Sequence, residues 1–143
     1  MRHLAACASG LTLTSVQLGV DGAVVLRPLA PDAALRLLQP LAQSYLAAWE
    51  QPLPLACKTA WAYLQTLQHN PALLAAGKPA KDPHEVARVV FEGGQYGGEL
   101  AESAYLQRVF EIYGQLQPGL PHWAQRLYGE LLAHCELLPE GLP

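Results

Sequence analysis

"LTLTSVQLGVDGAVVLRPLAP", residues 11–31, is the stretch that predicts how this chain begins to fold. Two segments rich in β-branched and other apolar residues lie on either side of Asp21 and Gly22. An Asp-Gly pair between two such segments is the commonest short signal for a β-hairpin. We therefore predict a hairpin over residues 11–29 that turns at Asp21 and Gly22.

The rest of the chain is predicted to be helical. Pro31 and Asp32 favour a helix start, and apolar residues then recur at helical spacing to residue 49, with Pro40 expected to kink this helix. A second helix follows in "PLPLACKTAWAYLQ", residues 52–65, and a third over residues 83–92 behind the capping residue Asp82. The expected buried face of the second helix comprises Cys57, Ala60, Trp61, Leu64 and Leu67.

Two further apolar stripes complete the chain. Both have helical spacing, so the fold class predicted is α+β, dominated by helices, with one β-hairpin and about five helices. The fourth helix carries Leu106, Val109, Phe110, Tyr113 and Leu116, and the fifth carries Trp123, Leu127, Leu131, Leu132, Cys135 and Leu138.

The segment "EGGQYGGE", residues 92–99, places four glycines around Tyr96 and predicts a loop. It lacks the lysine and the strand–helix context of a phosphate-binding loop, so we interpret it as a connector. We expect residues 93–103 to be mobile in the isolated chain, with Tyr96 as the side chain that could anchor them to a partner. The acidic residues from Glu85 to Glu111 are expected to face solvent.

Composition favours a domain that packs against another protein. Of 143 residues, 51% are hydrophobic and only 15% are charged, against about 25% for an average soluble domain. The net charge of −3 argues against a free-standing DNA-binding domain. A local contact with DNA stays open, because four basic residues occupy the middle of the chain: Lys58, Lys78, Lys81 and Arg88.

Nothing in the sequence argues a reaction, a metal or a cofactor. Cys7, Cys57 and Cys135 are widely separated and form neither a disulfide framework nor a zinc pattern, so we predict three buried, reduced thiols in a cytoplasmic protein. The five histidines show no ligand spacing. No stretch approaches the roughly 20 apolar residues of a membrane span.

Lys58 lies one helical turn from Trp61 at the start of an apolar helix, which leaves two interpretations open. The lysine either extends from an ordinary helix surface, or it reaches a partner carboxylate or a DNA phosphate with its aliphatic stem on the indole ring.

Three segments, in order, resemble the C-terminal end of the RecC family, the gamma subunits of exodeoxyribonuclease V. They share a helix end, a hairpin, an "RPLAP" segment, a helix that ends in an aromatic residue, a proline-led helix with a lysine, and an acidic "YL" helix. The segments are "HLAACASGLTLTSVQLGVDGAVVLRPLAPDAALRLLQPLAQSYLAAW", "PLPLACKTAWAYL" and "ARVVFEGGQYGGELAESAYLQRVF".

The resemblance implies a fold related to the PD-(D/E)xK nucleases that has lost catalysis. In active members the second strand of the hairpin supplies an acid followed by a lysine. Here that strand reads "AVVLRPL", residues 23–29, where no acid precedes a lysine and the one basic residue is Arg27. A metal-dependent nuclease needs carboxylates to hold the cation that activates water. The chain is therefore expected to have no catalytic and no metal-binding residue.

The resemblance also implies a role. RecC is a non-ATPase subunit of the RecBCD helicase–nuclease, an ATP-dependent exodeoxyribonuclease that processes double-strand breaks. We expect residues 1–143 to be a single domain, the C-terminal fragment of a longer chain, because "RHLAACASG" after Met1 looks like the tail of a helix entered partway. The implied partners are RecB, RecD and, through the full complex, double- and single-stranded DNA, with no cofactor and no membrane.

Candidate contacts to a partner or to DNA are Lys58, Trp61, Lys78, Lys81, Arg88 and Tyr96. Two other interpretations are kept beside this one. An unrelated helical protein-interaction module is the main alternative, and an active nuclease is the weakest.

Overall fold

The computed structural model describes residues 14–19, 22–94 and 97–138, and it divides the chain into two compact units. The first unit comprises Met1–Leu46 together with Glu130–Pro143. The second unit is Ala47–Gly129. The helix-dominated α+β class is confirmed, although two of the predicted helices are each divided into shorter ones.

The predicted hairpin is present in the first unit. Strand β1, Ser15–Gly19, pairs antiparallel with strand β2, Gly22–Leu26, and Gly19 lies opposite Gly22. Gly22 therefore belongs to the second strand, while Asp21 at the predicted turn lies outside the described residues. The Asp-Gly signal thus placed the hairpin correctly.

A third strand, which the sequence did not predict, completes the sheet. Strand β3, Cys135–Leu138, pairs antiparallel with β2, so that the strand order is β1-β2-β3. Cys135 and Leu138 had been predicted to continue the last helix, and that prediction is wrong. The physical reason is that the second edge of β2 presents unpaired backbone N–H and C=O groups, which β3 satisfies.

Helix α1, Pro31–Glu50, follows the hairpin as predicted and contains Pro40. The Ser44 hydroxyl donates a hydrogen bond to the carbonyl of Pro40, at 2.7 Å. The four side chains expected to face a nuclease-like core are each partly buried; they are Val24, Leu26, Leu38 and Leu41. The strand–strand–helix order is therefore confirmed, and the likeness to a nuclease fold stays a prediction.

The second unit is built on helix α2, Cys57–Ala75, which packs against helix α3, Pro83–Glu92. Its buried face differs from the predicted one, because Cys57 is exposed and Leu67 is 45% exposed. Periodicity locates an apolar stripe only roughly, and the neighbouring helices decide which side of it is covered. The residues actually buried are Thr59, Ala60, Tyr63, Leu64 and Thr66.

Helix α3 begins where the sequence predicted. The Asp82 carboxylate accepts a hydrogen bond from the N–H of His84 at 2.9 Å, and Pro83 occupies the first turn, where its missing N–H costs nothing. Ala87 and Phe91 are fully buried on its inner face.

Short helices fill the rest of the second unit. The predicted fourth helix is broken at Phe110, whose backbone is extended with a φ of −129°. A second extended residue, Ser103, with a φ of −126°, precedes the first residue of the predicted stripe, Leu106. The Ser103 hydroxyl accepts a hydrogen bond from the N–H of Leu106 and so caps the helix that follows it. The elements are α4 (Glu99–Glu102), α5 (Ala104–Val109), α6 (Tyr113–Leu116), α7 (Leu120–Ala124) and a π-helical turn (Gln125–Gly129); α8 (Glu130–Ala133) follows in the first unit.

The glycine-rich segment lies between α3, which ends at Glu92, and α4, which begins at Glu99, in agreement with the predicted connector. Residues 99–102 of the range expected to be mobile are helical, and the mobility itself stays a prediction. A Cβ added at Gly98 would lie 2.4 Å from the backbone nitrogen of Gly93 and 2.4 Å from the Phe91 carbonyl oxygen. The two ends of the segment therefore touch through backbone atoms, which only glycine permits.

This close approach predicts different effects of alanine at two neighbouring glycines. Gly98→Ala should lower the free energy of unfolding by about 2 kcal/mol or more, because the colliding atoms are backbone and cannot move aside as a side chain can. Gly94→Ala is the matched control, since its Cβ would meet nothing within 4 Å. Urea denaturation of both variants is the measurement, and equal stability of the two would contradict the predicted approach.

Candidate functional site

The start of α2 is capped by a carboxylate from a distant part of the chain. Ala56, the residue before the helix, has extended backbone and no side chain that can accept a hydrogen bond. Glu99 of α4 takes this place: its two oxygens accept hydrogen bonds from the N–H groups of Lys58, at 2.9 Å, and Thr59, at 2.8 Å. The Thr59 hydroxyl donates a third bond, also at 2.8 Å.

The cap explains why a charged residue is buried. Glu99 is only 9% exposed, and a carboxylate in such a place is costly unless its oxygens are hydrogen-bonded. The N-terminus of a helix offers unpaired N–H donors and a positive dipole end, which favour a negative charge. The expectation that all acidic residues from Glu85 to Glu111 face solvent is therefore wrong for Glu99. The missing capping residue at Ala56 was the only signal for it in the sequence.

Lys58 pairs with an acidic residue of its own chain. Its ammonium group forms an ion pair with Glu102, and the two side chains are 62% and 61% exposed. The hydrogen bond with Glu102 raises the pKa of Lys58. Exposed pairs of this kind contribute little to stability. Trp61 is partly buried on the next turn. A contact of Lys58 with a partner stays a prediction, and such a contact would compete with Glu102.

Arg88 is also engaged within the chain. Its guanidinium lies 2.6 Å from Glu85 and 3.2 Å from Glu92, one turn before and one turn after it on α3. The hydrogen bond from Arg88 lowers the pKa of Glu85. The second oxygen of Glu92 accepts the N–H of Tyr113 at 3.0 Å, at the start of α6. Arg88 thus belongs to a chain of contacts that joins α3 to α6.

Lys78 and Lys81 are the two candidate residues that the structure brings to one place. They line a cavity of about 370 Å³ at the C-terminal end of α2. Within the described part of the chain, neither ammonium group forms an ion pair. Tyr96, the last candidate residue, lies outside the described residues. The remaining lining residues of the cavity are Thr66, His69, Ala72, Leu73 and Ala76.

The thiols differ from the prediction that all are buried. Cys57 is exposed at the first position of α2, and Cys135 is partly exposed. Tyr128 of the π-helical turn donates a hydrogen bond to the Cys57 sulfur at 3.1 Å, and burial, more than this bond, raises the pKa of Tyr128. Cys7 lies outside the described residues. Over residues 14–19, 22–94 and 97–138, no three histidine, cysteine or acidic side chains are grouped as a metal site would require.

An aromatic cluster supports the interior of the second unit. The Tyr113 hydroxyl lies 2.8 Å from Nδ1 of His84, and the Tyr63 ring lies 5.0 Å from the His84 ring between centroids. Burial raises the pKa of Tyr113 to about 12. The cluster joins α2, α3 and α6, and both of its tyrosines are buried, so we interpret it as structural.

Comparison with known proteins gives one match. The family model of the RecC C-terminal domain matches residues 1–68, a little under half of the chain, which include the hairpin, α1 and the first part of α2. No curated protein and no solved structure matches. Residues 1–68 are therefore similar to a RecC C-terminal domain, which supports the resemblance found in the sequence. Among the helices that the structure describes, none has the length and hydropathy needed to cross a membrane.

The cap on α2 predicts unequal effects of removing two acidic residues of α4. Glu99→Ala should lower the free energy of unfolding by about 2–3 kcal/mol, since it removes a helix cap made of charge-assisted hydrogen bonds. Glu102→Gln, three residues away, should leave stability nearly unchanged, because its ion pair is exposed. Urea denaturation would measure both, and an equal loss in the two variants would show that Glu99 does not act as a cap.

The buried phenol predicts a loss of stability at alkaline pH. Tyr113 has a folded pKa of about 12, and an unfolded tyrosine has a pKa near 10. The contribution of Tyr113 to the free energy of unfolding is therefore complete below about pH 10 and is lost as pH rises through 12. The reason is that the tyrosine of the unfolded chain releases its proton at a lower pH than the buried one. Tyr113→Phe should reduce the fall in stability between pH 9 and 12 in urea titrations. Tyr105→Phe, at a tyrosine that is 80% exposed, is the control and should keep the wild-type slope.

Proposed function

We propose that this chain is a non-catalytic structural and interaction domain of the RecC subunit of the RecBCD helicase–nuclease. In this proposal the two units of residues 1–143 act together as one domain of that subunit in the cytoplasm, and the domain supports repair of double-strand breaks by recombination. The observation that carries the proposal is the match of residues 1–68 to the RecC C-terminal domain. The sequence order of hairpin and α1 supports a degenerate PD-(D/E)xK nuclease-like fold.

The order of residues in the second strand of the hairpin supports a role without catalysis. Strand β2 reads Gly22–Leu26 and is followed by Arg27, so that no acid precedes a lysine where active nucleases hold their metal. The buried carboxylate of Glu99 accepts three hydrogen bonds at the start of α2. Those bonds give this acid a structural role, and the parent complex supplies the exodeoxyribonuclease activity.

Exposed apolar side chains support contacts with partner subunits, for which we propose RecB and RecD. An isolated domain rarely exposes large apolar patches, and only 15% of the residues of the whole chain are charged. Leu18 is 77% exposed on β1 and Tyr105 is 80% exposed on α5. Other large apolar residues that are exposed include Val16, Leu35, Leu46, Leu74, Val89 and Ile112.

We also propose that this domain contacts single- or double-stranded DNA directly within the full complex. Lys78 and Lys81 are the best placed residues for it, because Lys58 and Arg88 are already paired with carboxylates of the chain. Trp61 and Tyr96 offer aromatic rings on which a base or a partner side chain could stack.

The second candidate function is an unrelated helical protein-interaction module. It is favoured by one observation: the family match ends at residue 68, so most of the second unit, Ala47–Gly129, lies outside it. A test of binding to named subunits separates the two candidates.

The proposal predicts that the purified chain is retained by immobilised RecB, RecD or the pair of them. Nuclease treatment before the measurement removes DNA that could bridge the proteins, and the affinity tag alone is the control. Retention at micromolar protein supports the RecC assignment. Lack of retention by either subunit and by the pair would favour the unrelated module.

The proposal also predicts that the chain does not degrade linear DNA with magnesium or manganese. The physical reason is the missing pair of acid and lysine in strand β2. Asp21→Ala provides the discriminating variant, since Asp21 is the acid closest in sequence to that strand. Metal-dependent degradation that survives repurification and disappears in Asp21→Ala would overturn the non-catalytic role.

A further inference from the structure

The cavity at the end of α2 has an apolar wall on one side and cations at its rim. Thr66, His69, Leu73 and Ala76 follow one another at intervals of three or four residues, which places them on one face of the helix. Lys78 and Lys81 belong to the segment that leaves the helix and passes beside this face. The volume of about 370 Å³ lies near the lower end of the range of small-molecule sites, and the cavity is open to solvent, since Thr66 is the only one of its lining residues that is buried.

The backbone of Lys78 is held in place by the way α2 ends. Gly77 has a φ of +71°, a left-handed conformation that glycine adopts without strain. The N–H of Lys78 donates to the carbonyl of Leu73 at 2.9 Å, and the N–H of Gly77 donates to that of Leu74 at 3.0 Å. These two bonds form the Schellman motif that commonly closes a helix. They direct the chain back over the last turn.

The backbone of Lys81 is held by a side chain of the same helix. The Asn70 amide nitrogen donates to the carbonyl of Lys81, and the Asn70 oxygen accepts the N–H of Lys81, both at 2.9 Å. Two independent tethers thus fix the backbones from which the lysine side chains extend. Ordered backbones reduce the entropy that a ligand would have to remove on binding.

The charges around the cavity favour an anion. None of its lining residues is acidic, and neither lysine is ion-paired within the described residues. The acid next to Lys81 in sequence, Asp82, accepts the N–H of His84 at the start of α3. The carbonyl groups at the C-terminus of α2 would repel an anion, but those of Ala72, Leu73 and Leu74 already accept hydrogen bonds.

We propose that this cavity binds the phosphate group of an organic phosphate. A phosphate monoester carries a charge of about −1.5 to −2 at pH 7, which two lysine ammonium groups balance, whereas a carboxylate would leave one of them uncompensated. His69 adds a ring N–H donor, and the wall of Ala72, Leu73 and Ala76 covers the organic part of the ligand. The inference deepens the DNA contact proposed above for Lys78 and Lys81 and rests on it only if DNA is the source of the phosphate. Binding of a free nucleotide would not depend on the RecC role, since every lining residue except Thr66 lies outside the matched residues 1–68.

Two sources could supply such a phosphate: a free nucleotide, or the backbone of single-stranded DNA. Isothermal titration calorimetry at constant ionic strength should compare adenosine monophosphate, adenosine, inorganic phosphate and a short single-stranded oligonucleotide. Adenosine monophosphate should bind, inorganic phosphate should bind more weakly, and adenosine should not bind. Binding of the oligonucleotide alone, with the same dependence on the lysines, would identify DNA as the source.

Variants test whether the two lysines hold the phosphate. Lys78→Gln and Lys81→Gln should each weaken phosphate-dependent binding about tenfold, the effect of losing one charge-assisted hydrogen bond. Arg108→Gln removes the same charge from an exposed position in the last turn of α5, outside the cavity, and should bind as the wild type does.

Amide NMR spectra of the unaltered chain provide a readout that does not depend on the folding of any variant. Adenosine monophosphate should shift the amide signals of Ala72, Leu73, Ala76 and Lys78 and leave those of the α4 residues unchanged. The proposal is overturned if none of the phosphates binds at millimolar concentration. It is equally overturned if binding is the same in Lys78→Gln, Lys81→Gln and Arg108→Gln, or if the shifts occur elsewhere.

Discussion

The carboxylate of Glu99 at the start of α2 is the contact on which the second unit depends. A helix that begins after Ala56 has no side chain of its own to accept its first N–H groups, and Glu99 supplies that acceptor from 40 residues away. The bond thereby fixes α4 against the first turn of α2. A buried charge is tolerated at this position because the helix end provides both donors and a favourable dipole.

The glycine-rich segment allows Glu99 to reach the start of α2. Gly98 precedes Glu99 directly, and its α-carbon comes so close to the backbone of Gly93 that a side chain would collide. The segment therefore reverses the chain tightly between α3 and α4 and delivers Glu99 to α2. In the sequence, the four glycines indicated only a flexible connector. In the structure, two of them, Gly93 and Gly98, allow two stretches of backbone to approach closely.

The four basic residues proposed as contacts divide into two pairs, one with ion-pair partners in the chain and one without them among the described residues. Lys58 forms an ion pair with Glu102, and Arg88 forms ion pairs with Glu85 and Glu92; all of these residues belong to the second unit. Lys78 and Lys81 have no such partner among the described residues and share one cavity. The basic residues that looked equivalent in the sequence therefore separate into a structural pair and a pair available to a ligand.

Taken together with the RecC match of residues 1–68, this arrangement suits the proposed role of a domain that supports an assembly. Its buried polar groups serve helix starts and helix ends, as Glu99, Asp82 and Ser103 show. Its exposed apolar residues, by contrast, have no evident use in an isolated domain. Contacts with other subunits would give them one.

The sequence alone determined the elements whose signals are local. The hairpin followed from Asp-Gly between two apolar strands, α1 from Pro31 and a long periodic stripe, and the start of α3 from Asp82. Each of these depends on backbone preferences or on hydrogen bonds between residues that are close in the chain. The resemblance to RecC likewise followed from the order of such local features.

Only the tertiary structure decided which residues are brought together over long distances. Strand β3 forms because β2 offers an unpaired edge, although the spacing of Cys135 and Leu138 equally suited a helix. Glu99 is buried because a helix that begins 40 residues earlier lacks a cap of its own. It is the same residue type as its exposed neighbour Glu102, so residue type alone does not distinguish the two. Lys78 and Lys81 line the same cavity as His69 because a Schellman turn and Asn70 fold the chain back. Periodicity describes one element at a time, whereas these contacts depend on which groups a second element leaves unsatisfied.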